Sequence, residues 1–205
     1  MLAYLAAGVL GYLLGCSNMA LYLSKTKGVD LRAAGSGNLG ASNAMILMGW
    51  GAGIAVGVHD IGKSVLAVVL VRWLFPQTDL AVALTAGVGC VLGHMYPFYL
   101  GFSGGKGLAS YIGMVAVLNW RVGIAVVLSI AILTLITDYI AVGTIVTVIA
   151  YPVFVFLLMH SWLPVLILCV AGAAMLYKHR GNCVRIYQGV EIGLRQSGRG
   201  QKRLA

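Results

Sequence analysis

Long apolar runs, separated by short polar segments, make up most of this sequence. A helix needs about 20 apolar residues to cross the hydrocarbon core of a bilayer, and several runs reach that length. Only 9% of the 205 residues are charged, whereas a soluble domain has about 25%. The sequence therefore predicts an all-α integral membrane protein in which residues 1–205 form a single membrane-embedded domain.

The apolar runs predict seven transmembrane helices, at residues 2–24, 49–75, 80–98, 108–118, 121–137, 139–159 and 163–177. Most of the 14 lysine and arginine residues fall in segments that this arrangement places on one side. Since positive loops stay in the cytoplasm during insertion, we expect the N-terminus outside and the C-terminus in the cytoplasm. The basic tail, about residues 178–205, could also rest on anionic lipid, although its role in topology is enough to explain it.

A glycine-rich loop with one lysine follows the third apolar run. Residues 101–107 read Gly-Phe-Ser-Gly-Gly-Lys-Gly. Glycines let the backbone turn several N–H groups toward one point, and Lys106 adds a full positive charge. This combination favours an anion site, most simply for phosphate, over a plain turn, which would explain the glycines but not the lysine. His94, at the end of the preceding run, is about equally suited to bind substrate or to brace the loop.

A second polar loop, residues 35–43, reads Gly-Ser-Gly-Asn-Leu-Gly-Ala-Ser-Asn. Its glycines match the pattern G-x-G-x-x-G, but no strand precedes them, and a dinucleotide site requires one. The hydroxyls and amides of this loop could bind a substrate. Gly, Ser and Asn are equally typical of a loop made of turns, so the loop alone does not decide between these two interpretations.

Two opposite charges lie within the predicted span 49–75. Lys63 follows Asp60 by three residues, so both side chains lie on or near the same helix face. Charges inside a span are costly and usually pair in the interior of a helix bundle. We therefore interpret Asp60 and Lys63 as a structural ion pair, which His59 could join. Contact with a substrate is the alternative.

The basic segment 178–185 begins where the last apolar run ends. His179, Asn182 and Arg185 are spaced by three, so they share one face if the helix continues. A basic helix end bound to lipid headgroups is the alternative. Because this segment and the two polar loops fall on the same predicted side, we expect one cytoplasmic site assembled from all three.

The sequence also disfavours several classes of function. The four cysteines show no C-x-x-C spacing, so no zinc or redox motif is predicted. A net charge of +9 usually suggests nucleic acid, but here the charge follows the predicted topology. A transporter or binding protein for lipids or organic anions is the alternative to an enzyme, and the short outer turns and the lack of an internal repeat argue against transport.

These motifs resemble those of the bacterial acyl-phosphate-dependent glycerol-3-phosphate acyltransferases, the PlsY family. The resemblance covers most of the chain, and it rests on residues 35–43 and 93–107, on Asp60 with Lys63, and on His179, Asn182 and Arg185. It implies seven membrane helices and a site on the cytoplasmic face of the bacterial inner membrane. It also implies transfer of a fatty acyl group from acyl phosphate to the 1-hydroxyl of glycerol 3-phosphate, which gives lysophosphatidic acid and phosphate for phospholipid synthesis.

The same resemblance implies roles for individual residues. The residues with catalytic roles would be Ser36, Lys106, His179 and Asn182. The residues that bind substrate or phosphate would be Gly37, Asn38, Ser42, Asn43, His94, Gly104, Gly105, Gly107, Arg180 and Arg185. The loop amides from 104 to 107 would point at phosphate, and Asp60 with Lys63 would be structural or part of the site. The resemblance implies no cofactor, no metal and no obligatory protein partner beyond the two substrates and membrane lipid.

The sequence departs from the family pattern at three positions. Ser42 replaces a threonine, Ser103 replaces a cation before the glycine pair, and Ile46 replaces an arginine. A charge-assisted contact to phosphate is worth about 1.5–3 kcal/mol, so the loss of two cations would weaken phosphate binding by orders of magnitude. Either Arg32 or Arg180 compensates, or the protein is a paralogue with a different acceptor or weakened catalysis.

Overall fold

The structure is a computed structural model that describes residues 1–196. Arg199, Lys202 and Arg203, which belong to the predicted basic tail, lie outside the described residues. Contacts within the chain divide it into an N-terminal unit, residues 1–120, and a C-terminal unit that starts at Arg121. The single domain expected from the sequence stays a prediction.

Helices form the regular structure of both units over the described residues. The N-terminal unit contains α1 (Leu2–Cys16), α2 (Met19–Lys27), α3 (Ala41–Met48), α4 (Trp50–Leu74), α5 (Leu80–Met95), a 3₁₀ turn (Phe98–Leu100) and α6 (Leu108–Leu118). The chain continues with α7 (Trp120–Thr137), α8 (Ile140–Met159) and α9 (Trp162–Tyr187). Many large apolar side chains are exposed on these helices, as expected for surfaces that face lipid. The predicted all-α membrane architecture is confirmed.

Six stretches within residues 1–196 are long and apolar enough to cross a membrane. They are Leu2–Lys27, Trp50–Leu74, Leu80–Leu100, Trp120–Thr137, Ile140–Met159 and Trp162–Tyr187. The predicted fourth span, α6, has only 11 residues, which is short for a crossing. Length and composition therefore support six spans, and the seventh stays a prediction.

The first predicted span is not one continuous helix, because the chain breaks after Cys16. Asn18 begins α2 by accepting a hydrogen bond, at 2.9 Å, from the backbone N–H three residues later. This N-cap is the physical reason for the break, since an asparagine side chain competes with helical backbone hydrogen bonds. Two carbonyl groups at the break have side-chain donors: Tyr99 donates to Cys16, and Lys63 donates to Ser17.

Glycines let α1 and α5 pack with their backbones in contact. A Cβ atom added to Gly11 would lie 2.0 Å from the carbonyl oxygen of Ala86, and one added to Gly93 would lie 2.1 Å from that of Tyr12. Both distances are far below van der Waals contact, so neither position accepts a side chain. Small residues of this kind are typical of helix-packing faces in membranes, and here they fix the position of α5.

α4 packs against both α3 and α6. Gly53 of α4 lies against Met45 of α3, and Gly113 of α6 lies against the backbone of Ile61 in α4. The two charged residues predicted in this span are both buried. The ion pair therefore lies inside the N-terminal unit, as a charged pair in a membrane span should.

In the C-terminal unit, α8 packs against α9, which continues well beyond the predicted end at residue 177. The turn between α7 and α8 contains Asp138, a non-glycine residue with a φ of +72°. Asp138 accepts a hydrogen bond on its carbonyl oxygen from the N–H of Leu194, at 2.8 Å, and one on Oδ1 from the N–H of Arg195, at 3.0 Å. The segment after α9 is therefore held against this turn.

Candidate functional site

The glycine-rich loop folds back onto the end of α5. The N–H groups of Gly104 and Gly105 donate to the carbonyl oxygens of Met95 and His94, at 3.0 and 3.1 Å. A Cβ atom at Gly104 would lie 2.2 Å from the carbonyl oxygen of His94, and one at Gly105 would lie 2.0 Å from His94 Nε2. Close packing on His94 therefore requires both glycines.

This packing uses two of the amides that the sequence analysis assigned to phosphate. The N–H groups of Gly104 and Gly105 hold the loop against α5, and their contact with phosphate stays a prediction. The end of the loop is the part that we assign to anion binding. There, Gly107 is the N-cap of α6 with a φ of +92°, and Lys106 is half-buried just before it.

The start of α6 adds to the positive charge of Lys106. The first N–H groups of a helix have no partner within the helix and carry a partial positive charge. In α6 these groups follow the lysine directly in the chain. A full charge next to a helix N-terminus favours the binding of phosphate or carboxylate.

A buried charge cluster lies under the loop. Lys63 Nζ is 2.8 Å from Asp60 Oδ1, so the predicted ion pair is present. His94 joins it, with Nδ1 at 2.9 Å from Lys63 Nζ and 3.3 Å from Asp60 Oδ1. All three side chains are at most 6% exposed. His59, which could join the pair, lies at the edge of the cluster, 3.5 Å from Asp60.

The donors of Lys63 determine the protonation of His94. An ammonium group only donates, so His94 Nδ1 accepts from Lys63. His94 is then neutral and carries its hydrogen on Nε2, the nitrogen that faces Gly105. The other two donors of Lys63 are used by Asp60 and by the carbonyl oxygen of Ser17. Of the two roles predicted for His94, this geometry supports bracing of the loop.

Asn43 holds the other polar loop together from inside. Its Nδ2 group donates to the carbonyl oxygens of Leu31, Ala34 and Asn38, at 2.9 to 3.2 Å. Its Oδ1 accepts from the N–H of Ser36 at 2.9 Å, and the side chain is fully buried. These contacts give Asn43 a structural role in the loop, and its contact with substrate stays a prediction.

The remaining polar residues of this loop are accessible. Gly35 and Gly37 adopt left-handed conformations, with φ of +61° and +67°, which turn the chain tightly around Asn43. Ser36 and Ser42 are exposed, and Asn38 is half-buried. These three side chains remain available for the substrate contacts predicted from the sequence.

Arg32, three residues before the loop of residues 35–43, connects this part of the chain to the glycine-rich loop. Its Nη2 donates to the carbonyl oxygen of Ser103 at 3.3 Å, across 71 residues of sequence. Its own backbone N–H donates to Asp30 Oδ1 at 2.9 Å. The structure therefore brings the loop of residues 35–43 and the loop of Lys106 to the same part of this unit.

In the C-terminal unit, α9 continues to Tyr187, so His179, Asn182 and Arg185 lie on one face, which was the condition that the sequence analysis set. His179 is buried, and its Nδ1 lies 2.8 Å from the carbonyl oxygen of Met175. Since a carbonyl only accepts, Nδ1 carries the hydrogen and Nε2 of the neutral ring is an acceptor. This tautomer suits a group that takes a proton.

Glu191 is a residue of this region that the sequence analysis missed. Its Oε1 accepts from Asn182 Nδ2 at 2.6 Å, and its Oε2 forms an ion pair with Arg185 Nε at 2.5 Å. Glu191 thus fixes the orientation of both side chains. It is the sole glutamate in the sequence and lies in a basic tail, and that isolation is the signal that could have identified it.

Arg180 is engaged with its own helix. Its guanidinium group lies 3.8 Å from the centre of the Tyr177 ring, and its Nη1 donates to the carbonyl oxygen of Tyr177 at 2.9 Å. The predicted assembly of α9 with the two loops of the N-terminal unit stays a prediction. Within residues 1–196, no group of three or more His, Cys, Asp or Glu side chains is arranged to hold a metal ion.

The fold defines a helical membrane protein in which a glycine-rich loop with one lysine leads into the N-terminus of α6. A family profile described as Glycerol-3-phosphate acyltransferase matches residues 5–189. Glycerol-3-phosphate acyltransferase 1 of Oceanobacillus iheyensis is 33% identical in an alignment 190 residues long that covers 89% of this chain and 91% of the relative. The enzyme of the same name from Thermoanaerobacter pseudethanolicus is also 33% identical, over 92% of this chain and 94% of the relative.

Two solved structures are similar over nearly the whole chain. The crystal structure of PlsY (YgiH), an integral membrane glycerol 3-phosphate acyltransferase, in its glycerol 3-phosphate form has a TM-score of 0.85 and 32% identity, over 93% of this chain and 95% of that chain. The lysophosphatidic acid form of the same protein has a TM-score of 0.82. This chain belongs to the glycerol-3-phosphate acyltransferase family, and the resemblance stated from its motifs is confirmed.

Proposed function

We propose that this protein transfers a fatty acyl group from acyl phosphate to the 1-hydroxyl of glycerol 3-phosphate. The products are lysophosphatidic acid and inorganic phosphate, and the reaction serves phospholipid synthesis. The observation that carries the proposal is Lys106 at the N-terminus of α6, in a chain of this family. Similarity to structures in glycerol 3-phosphate and lysophosphatidic acid forms supports the choice of acceptor and product.

The chemistry needs positioning more than it needs a nucleophilic side chain, because an acyl phosphate is already activated. The 1-hydroxyl oxygen of glycerol 3-phosphate attacks the acyl carbonyl carbon. The bond from that carbon to the phosphate oxygen breaks, and phosphate leaves. The hydroxyl proton passes to His179 or to a substrate phosphate. The enzyme must orient two anions and stabilise the charge that develops on the carbonyl oxygen.

The N-terminal unit supplies the groups that we assign to phosphate. Lys106 and the first N–H groups of α6 bind a phosphate group through full and partial positive charge. The exposed hydroxyls of Ser36 and Ser42, with the amide of Asn38, hold a second phosphate group or the developing oxyanion. Gly105 contributes by letting the loop pack on His94, rather than by contact with substrate.

We assign the acceptor hydroxyl to α9. Nε2 of His179 accepts a hydrogen bond from the 1-hydroxyl and is suited to take its proton, because Nδ1 carries the ring hydrogen. Asn182 hydrogen-bonds the acceptor in the orientation that Glu191 imposes. Arg185 is held by the same carboxylate and adds positive charge to this face.

The predicted topology fits this chemistry. We count α6 as a seventh span, with the N-terminus outside and the tail in the cytoplasm of the bacterial inner membrane. The 11 residues of α6 extend over about 16 Å, roughly half of a hydrocarbon core of about 30 Å. The loop before α6 would then lie below the membrane surface, where an acyl tail arrives from the bilayer and phosphate arrives from the cytoplasm.

A different polyol phosphate acceptor is the second candidate. Ser103 and Ile46 favour it, because these positions lack the two cations that the family pattern usually provides. The donor and the bond that forms would be the same in both cases.

The test is phosphate release by the purified protein in lipid vesicles that contain palmitoyl phosphate. The proposal predicts release that depends on added glycerol 3-phosphate and lysophosphatidic acid in an equal amount. Release that is the same with and without the acceptor would contradict it, as would no release. Parallel reactions with other polyol phosphates identify the second candidate, which predicts a faster reaction with one of them.

A further inference from the structure

We propose that Arg32 binds a substrate phosphate together with Lys106, and so gives the glycine-rich loop a second cation that its own sequence lacks. The proposal rests on the proposed function for the identity of the substrates. Arg32 is exposed, and its guanidinium group docks on the carbonyl oxygen of Ser103. Ser103 precedes Lys106 by three residues, in a loop whose sole charged residue is that lysine.

The guanidinium group of Arg32 keeps most of its donors for a ligand. Its contact with the loop is a single hydrogen bond from Nη2, at 3.3 Å, out of five available N–H groups. Within residues 1–196, no ion pair includes Arg32; the nearby carboxylate of Asp30 accepts instead from backbone N–H groups. A guanidinium group that lacks a carboxylate partner is suited to a phosphate, which its planar fork can bind with two parallel hydrogen bonds.

The backbone around Arg32 is held in place before any ligand binds. Asp30 Oδ1 accepts from the N–H groups of Arg32 and Ala33, which forms a tight turn. Leu31 is fully buried, and its carbonyl oxygen accepts from Asn43. A cation on a fixed backbone loses less entropy when it binds a substrate, so this geometry favours a binding role.

Arg180 is the other cation that the sequence offers as a replacement. Its guanidinium group is occupied by the ring and the carbonyl oxygen of Tyr177, within its own helix. Arg32 instead reaches out of its own loop to the loop of Lys106. The structure therefore favours Arg32 over Arg180 as the compensating cation.

The test compares KM and kcat for both substrates in the full-length protein in lipid vesicles. We expect Arg32→Gln to raise one KM by at least about tenfold, the loss of one charge-assisted contact. A higher KM for glycerol 3-phosphate identifies the acceptor phosphate as the ligand, and a higher KM for palmitoyl phosphate identifies the donor phosphate. Lys27→Gln, which removes an exposed cation from the end of α2, is the matched control and should leave both KM values unchanged.

A second variant separates binding from loop structure. Ser103→Lys places a cation where the guanidinium group lies, but it does not rebuild the hydrogen bond between the two loops. The double variant Arg32→Gln/Ser103→Lys should reverse at least half of the increase in KM that Arg32→Gln causes. The proposal is overturned if Arg32→Gln leaves both KM values unchanged, or if Ser103→Lys does not restore the affinity that Arg32→Gln loses. It is also overturned if KM rises in Arg180→Gln and not in Arg32→Gln.

The same preparations distinguish failure of this inference from failure of the proposed function. An inactive wild-type protein contradicts the proposed function whatever the variants do. Calorimetric binding of inorganic phosphate to the wild type and to Arg32→Gln then tests Arg32 without turnover. Weaker binding in the variant supports the inference, and equal binding overturns it.

Discussion

Two carboxylates in this protein hold residues that the sequence assigned to the site, and their surroundings differ. Asp60, in the N-terminal unit, is 2% exposed and pairs with Lys63, which is also buried. Glu191, in the C-terminal unit, pairs with Arg185, whose side chain is 40% exposed. The chemistry of the two pairs is the same, a carboxylate and a cation at hydrogen-bond distance.

The two pairs differ in whether water can reach the cation once the carboxylate is removed. Water can solvate Arg185, so the loss of Glu191 exposes a cation that is already half in water. Lys63 has no such access, so the loss of Asp60 leaves an uncompensated charge among helices. Breaking a buried pair costs about 3–5 kcal/mol, whereas an exposed pair is worth about 0–1 kcal/mol. Burial, rather than the number of ion pairs, should rank the effects of substitution.

The largest effect is expected for Asp60→Asn. It removes the charge but keeps the size of the side chain, so Lys63 becomes a buried, uncompensated cation. We expect the melting temperature in detergent to fall by roughly 10 °C. The double variant Asp60→Leu/Lys63→Met contains no buried charge and should recover most of that loss. A melting temperature of Asp60→Asn equal to that of the wild type would contradict the ranking of the two ion pairs by burial.

The next effect concerns the loop that the buried cluster supports. In Gly105→Ala the new methyl group would lie 2.0 Å from His94 Nε2, and His94 cannot move away because Lys63 holds its other nitrogen. Overpacking costs about 1–3 kcal/mol, and the displaced loop should lower acyl transfer by at least about tenfold. Gly62→Ala is the matched control, since a Cβ atom there meets open space. Equal activities of these two variants would refute the packing argument.

A smaller effect is expected for Glu191→Ala. Asn182 would lose its hydrogen bond to a charged group, which costs about 1.5–3 kcal/mol. Acyl transfer should fall through kcat, because Glu191 no longer fixes the orientation of Asn182. Glu191→Gln keeps an acceptor for Asn182 and should lose less of both stability and activity. A loss of stability in Glu191→Ala greater than that in Asp60→Asn would reverse the ranking by burial.

The smallest effect is expected for Arg195→Ala. Its side chain is 74% exposed, and its Nε lies 3.9 Å from Asp138 Oδ1. The backbone N–H of residue 195 keeps its own bond to the same oxygen, so the segment stays attached. We expect a change in stability below about 0.5 kcal/mol. A melting temperature lowered as much as in Glu191→Ala would show that the exposure of Arg195 does not predict its effect on stability.

The sequence predicts the apolar helices and the ion pair well, because each follows from a local pattern. A membrane span needs a long apolar run, and a pair such as Asp60 and Lys63 needs a spacing of three. The break after Cys16 escaped prediction because one polar residue, Asn18, changes the backbone within an otherwise apolar run. In the sequence, a short polar residue that caps a helix by bonding to the nearby backbone looks the same as a polar residue in the interior of a helix.

The candidate site is harder to predict for a related reason. Asn43 and Ser42 are neighbours of similar polarity, but Asn43 is buried as the centre of its loop and Ser42 is exposed. Composition cannot distinguish a side chain that shapes a loop from one that faces a ligand. The contacts of Arg32 with Ser103 and of Glu191 with Asn182 depend on the fold, so spacing along the chain gives no sign of them.

Acyl transfer by Lys106→Ala is the decisive measurement for phosphate binding at the start of α6. If this lysine binds a substrate phosphate together with the first N–H groups of α6, removing its charge should lower kcat/KM by about tenfold to more than a hundredfold. Lys25→Ala, an exposed lysine of α2, is the control. We expect Lys106→Ala to melt like the wild type and to lose acyl transfer, while the control keeps it. A folded Lys106→Ala protein with wild-type kcat/KM would show that Lys106 does not bind the substrate phosphate.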